Sequence, residues 1–129
     1  MSSQSEIQEL FNAARRTLVR APSILFAQGD TAKGVYIVCK GSVRLFIRNP
    51  VTGKITFDRT SGPGSLLGLP AVFGDKPYSM SAEVLEETEL GFIPRKEFLE
   101  LMEKDGKLCM LCLQVLSDEV RIARNAAAR

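Results

Sequence analysis

From Gly62 to Ala82 the chain reads GPGSLLGLPAVFGDKPYSMSA, a glycine-rich segment set between strand-like runs. Glycines at 62, 64, 68 and 74 allow backbone angles that other residues resist, so this segment can wrap closely around whatever it faces. A turn of helix beginning near Leu69 aims free amide N–H groups into that wrap, the arrangement that receives phosphate in many proteins. Lys76 is the one cation within the segment.

The flanking sequence fixes the setting. Thr17–Val19, Ile24–Phe26 and Val35–Cys39 are β-type runs, separated by turn signals at Pro22, Gly29-Asp30 and Lys33-Gly34. Lys40-Gly41 turns into Ser42–Arg48, where Val43, Leu45 and Ile47 alternate with other positions as in a half-buried strand. Asn49–Gly53 is a hairpin loop, and Lys54–Arg59 returns with Ile55 and Phe57 expected inward. Beyond the glycine-rich segment, Ser81–Leu85 and Glu89–Ile93 complete the strands. Short strands with frequent turns predict an all-β sandwich or barrel.

Helical periodicity brackets these strands. Ser5 is placed to cap a helix over Glu6–Arg16 with Ile7, Leu10, Phe11 and Ala14 on one face. Pro94 suits the first turn of a second helix, in which Phe98, Leu99 and Met102 recur before a stop at Asp105-Gly106. From Lys107 a longer helix opens with Leu108–Leu113, apolar almost all round, which predicts cover on two sides. Cys109, Cys112, Leu116, Val120 and Ala123 follow a coiled-coil-like spacing, and are expected on the seam of a homodimer.

Composition narrows the chemistry. The chain has 129 residues, net charge +2, 45% hydrophobic residues and no histidine. That length is one domain, with strands over about 15–93 and C-terminal helices over about 94–127. The lack of histidine removes the commonest general base and metal ligand, so neither a metal nor an enzymatic role is expected. Three cysteines cannot all pair within one chain; together with a polar start and no apolar run of membrane-spanning length, they predict a cytoplasmic protein that contacts no membrane. The acidic run Glu83, Glu86, Glu87 and Glu89 reads as a solvated surface, and Cys109-Met110-Leu111-Cys112 as core packing. Arg121, Arg124 and Arg129 are too spread to form a DNA-binding surface.

Five motifs stand in a recognisable order: Gln28-Gly29-Asp30, Gly34–Val38 with Gly41–Leu45, Gly62-Pro63-Gly64 through Gly68, Pro77–Ala82, and Leu113–Val120. In that order the chain resembles the cyclic-nucleotide-binding β-roll of Crp/Fnr-type bacterial regulators over roughly residues 15–122. The resemblance implies a mainly β fold, a jelly-roll-like double-stranded β-helix with an N-terminal helix and a C-terminal dimerisation helix. It implies a sensor domain serving transcription regulation, and a ligand site at Gly68, Leu69, Ala71, Tyr78, Ser79, Met80, Leu116 and Ser117. Its regulators place a helix-turn-helix after the last helix; this chain ends at Arg129, so no direct DNA binding is expected of it.

The same resemblance exposes a departure. Leu69 stands where cyclic-AMP-binding members hold the ribose with glutamate, and Tyr78 where an arginine pairs with the cyclic phosphate. A charge-assisted contact is roughly twice as strong as a neutral one, so its loss predicts weak or absent binding of cyclic AMP and cyclic GMP. Leu116-Ser117 stands for a threonine–serine pair, and Ser79 is retained. The chain is therefore expected to be either a sensor of another small-molecule effector or a module acting only through dimer or partner contacts. Tyr78 either bonds a ligand or fills the space of one.

Overall fold

The computed structural model describes residues 2–127, with side chains described for 8–118 and 121. Helix α1 (Ser2–Ala13) is followed by strands β1 (Arg15–Val19), β2 (Ser23–Phe26), β3 (Gly34–Lys40), β4 (Val43–Arg48), β5 (Ile55–Ser61) and β6 (Leu66–Leu67). Helix α2 (Leu69–Gly74), strands β7 (Ser81–Val84) and β8 (Thr88–Pro94), and helices α3 (Arg95–Lys104) and α4 (Gly106–Ala127) complete the chain. Two four-stranded sheets, ordered β1-β8-β3-β6 and β2-β7-β4-β5, form the roll, and every pairing is antiparallel.

Alternation along the strands divides the apolar residues between two cores. On β3, Val35 and Ile37 join the helices, while Val38 joins the roll interior with Tyr36 packed against it. The two residues of β6 split in the same way: Leu66 goes to the helical core and Leu67 to the roll. Leu10, Phe98, Leu108 and Cys112 close the helical core; Phe26, Leu45, Tyr78, Ala82 and Leu90 fill the roll. Close approach of α1 depends on Gly91, where a Cβ would lie 2.7 Å from that of Ala14. Among the described residues, no helix is long and apolar enough to cross a membrane.

Several expectations are corrected here. Helix α1 starts at Ser2, so Ser5 lies inside it and is not its cap. Ile55, expected inward, is 38% exposed; it opens β5 beyond a register shift against β4, so the alternation does not carry back to it. On helix α4, Leu108 and Cys112 are buried within the chain while Met110 is 68% and Leu113 41% exposed, which leaves the expected second side of cover to another subunit. Cys112 is accordingly removed from the expected seam, because its side chain is used inside its own subunit.

Candidate binding site in the roll

The glycine-rich segment delivers the expected turn of helix. Gly68 adopts φ +94°, the left-handed region open to glycine, and hands the chain from β6 to α2. Pro70 occupies the first turn of α2, where its missing N–H interrupts no helical bond. Asp75, also left-handed at φ 52°, ends the helix, its N–H donating to the Ala71 carbonyl. The Arg95 guanidinium, from the start of α3, holds this end: Nε donates to the Val72 carbonyl at 3.1 Å, with Asp75 Oδ1 3.8 Å from the same group. Nothing in the sequence around Pro94-Arg95 signals that brace.

Tyr78 is the centre of the site and is 5% exposed. Its ring stacks on Phe26 at 3.9 Å between centroids and 19° between planes. Its hydroxyl donates to the Gly34 carbonyl at 2.7 Å and accepts from the Gly34 N–H at 3.4 Å. Its backbone is tied as well: Tyr78 N–H donates to Asp30 O, and Tyr78 O accepts from Gly29 N–H. Burial pushes the phenol's pKa above its ordinary value, so the ring is neutral and acts as a spacer. Gly68 leaves it room, since a Cβ there would stand 2.8 Å from the Tyr78 ring.

Little space remains inside. The cavity bounded by Gly68, Ala71, Tyr78, Ser79 and Met80, with Phe26, Leu45, Leu67 and Pro70, measures about 20 Å³. That is room for about one water, far below the roughly 300 Å³ at which small-ligand pockets begin. Leu69, expected in the site, is fully buried in the helical core with Val35, Val72 and Phe98. Leu116 packs against that same core, Ser117 is exposed, and neither lines the cavity. Ser79 reaches the cavity rim and is otherwise exposed. The structure thus brings five expected residues together and leaves Leu69, Leu116 and Ser117 outside. Phe26, the stacking partner, was legible only as a strand residue.

The remaining candidates resolve into local contacts. Arg44 forms a two-pronged pair with Asp58 at 2.9 and 2.8 Å and reaches Glu83 at 3.3 Å. That guanidinium holds the Asp58 carboxyl below its usual range. Glu86 accepts from Ser42, Glu89 faces Arg16 at 3.9 Å, and Arg121 donates to Asp118. Arg124 and Arg129 lie outside the described side chains. All three cysteines are free thiols, and burial with the neighbouring Cys109 pushes Cys112 up to about 12. Among the described residues, no group of three or more metal-ligating side chains converges.

Comparison with known proteins agrees with this roll-and-helix architecture. The family model for the cyclic nucleotide-binding domain matches residues 16–105. The chain belongs to the cyclic nucleotide-binding domain family. Its Crp-like character follows from its relatives: it is 31% identical over 99 residues to the cyclic AMP receptor protein of Thermus thermophilus, covering 77% of this chain and 45% of that protein. The chain therefore spans less than half the length of that relative. The crystal structure of the Thermus thermophilus catabolite activator protein superposes with a TM-score of 0.79 at 28% identity, covering 96% of this chain and 58% of that one. A cyclic nucleotide-binding-like protein of Brucella abortus is 31% identical with a TM-score of 0.62, over 77% and 84% of the two chains. These likenesses carry the Crp/Fnr resemblance from sequence motifs to the whole β-roll.

Proposed function

We propose that this domain is a Crp/Fnr-type regulatory module, non-catalytic, whose cassette does not take cyclic AMP or cyclic GMP. The observation that carries this reading is Tyr78: its ring stands in the cassette and its hydroxyl is already bonded to Gly34. A bound nucleotide would have to break that bond and that stack, and no guanidinium waits at position 78 to compensate. The small cavity favours the second reading as well, a module acting through dimer or partner contacts. Helix α4 supports a homodimer seam. The stripe Cys109, Leu113, Leu116 and Val120 keeps coiled-coil spacing, with Leu113 open and Cys109 half-buried; Ala123 continues it at the next turn.

Thermal melts test the cassette directly. A ligand at about 100 times its Kd stabilises by about 2.7 kcal/mol, which moves the midpoint of a domain this size by several degrees. With cyclic AMP or cyclic GMP at millimolar concentration, no shift is expected. A shift of several degrees with either overturns the reading.

A further inference from the structure

We infer that the mouth of the roll, on the far side of Tyr78 from the cassette, is a separate ligand site for a small planar aromatic carboxylate. A cleft of about 390 Å³ opens there, walled by Leu25, Phe26, Tyr36 and Tyr78, with Asp30, Thr31 and Lys33 on its rim. That volume falls among small-molecule pockets, and aromatic and polar side chains share the lining. The cassette cavity shares the Phe26 and Tyr78 walls but is about 20 Å³, so these two stacked rings stand between a small space and a larger one.

The walls specify a flat ring. Phe26 stacks on Tyr78 at 3.9 Å and meets Tyr36 at 5.7 Å, and Tyr36 in turn meets Phe92 at 4.9 Å. Phe26 and Tyr78 are almost fully buried, so the half-buried Tyr36, held in place by its neighbours, offers most of the aromatic surface an incoming ring can meet without reorganisation. The rim specifies the charge. Asp30 Oδ2 accepts from the Ala27 N–H at 2.9 Å, which commits that carboxylate to its own turn. Lys33 is exposed and has no ion pair among the described residues. Its carbonyl accepts from the Arg95 N–H at 2.9 Å, which anchors the lysine's backbone to the start of α3. The rim thus carries one carboxylate tied to its turn and one lysine without an ion pair, and Lys33 is the group left to meet a ligand's carboxylate. Tyr36 supplies the second polar group: the Tyr78 hydroxyl is used by Gly34, whereas that of Tyr36 has no hydrogen-bond partner among the described residues.

A nucleotide that broke the Phe26–Tyr78 stack would also remove a wall of this cleft, so the site belongs to the domain free of cyclic nucleotide. The chain has two tyrosines and no tryptophan, and both tyrosines line this cleft, so their ring signals report on it. NMR titrations with sodium benzoate and sodium 2-naphthoate are expected to shift the Tyr36 and Tyr78 rings and the Thr31 and Lys33 amides saturably. Benzamide is expected to bind at least tenfold more weakly. Lys33→Ala, at an exposed position, should weaken benzoate at least tenfold and leave benzamide unchanged; Tyr36→Phe should weaken both by a few-fold. No saturable shift with either carboxylate at millimolar concentration overturns the proposal. So does benzoate binding that Lys33→Ala leaves intact, or an equal response to sodium acetate. Shifts at Ser79 and Met80 on adding cyclic AMP contradict the cassette reading alone.

Discussion

Tyr78 fills the cassette with its ring and is held there by packing. A buried phenol needs one good partner for its hydroxyl, and the carbonyl of Gly34, at the start of β3, provides that at 2.7 Å. Tyr78→Phe removes that bond and leaves the ring, so urea unfolding should show a loss of about 1 kcal/mol. Tyr78→Ala empties the space beside Phe26 and should cost about 3–5 kcal/mol; an unchanged midpoint would mean the ring is not packed as described. Gly68→Ala suffers twice, from its positive φ and from the 2.8 Å approach to the Tyr78 ring, and should cost about 1–3 kcal/mol. That residues 69 and 78 carry no charge was legible in the sequence. Which of its two expected roles Tyr78 takes was not, because its partners, Phe26 and Gly34, are far from it in sequence. Leu69 shows the same limit: expected in the site, it is buried in the helical core instead.

At the scale of elements, α4 carries the sharpest correction. Its first turns are apolar on every side in sequence, and heptad spacing alone cannot say which stripe packs on the parent domain. Contacts with α1, α2 and α3 decide it, turning Leu108 and Cys112 inward and leaving Leu113 and Met110 outward. The strand runs were legible because alternation and turn residues report local geometry. Strand β6 was not, since two leucines in a glycine-rich segment show no period. The burial of Cys112 has a consequence in pH. The thiol is held protonated up to about 12 in the fold, against an ordinary value of 9.0 in the unfolded chain. Its contribution to stability is therefore whole below about pH 9 and is lost between there and about pH 12, with a slope of at most about 1.4 kcal/mol per pH unit. The advantage of the native protein over Cys112→Ala in urea midpoint should narrow between pH 8 and pH 10.5. A constant difference would show that Cys112 ionises alike in both states.

For the whole molecule, one sheet lies between two cores, and each core has its own role. The helical core joins the roll to α4, so a change at the roll has a packed route to the helix through Val35, Ile37, Leu69 and Leu108. On the opposite face of α4, Leu113 is available for a second copy of the chain. Light scattering should give twice the chain mass of 14.2 kDa, and Leu113→Glu should return it to a monomer with its circular dichroism unchanged. A monomer in the native protein would remove the seam. The central claim concerns the cassette, and calorimetric titration of cyclic AMP into the native chain tests it most directly. Only heat of dilution is expected up to 1 mM, roughly the weakest binding such a titration resolves. Saturable heat with a micromolar Kd would contradict it, and would mean that Tyr78 gives way to the nucleotide.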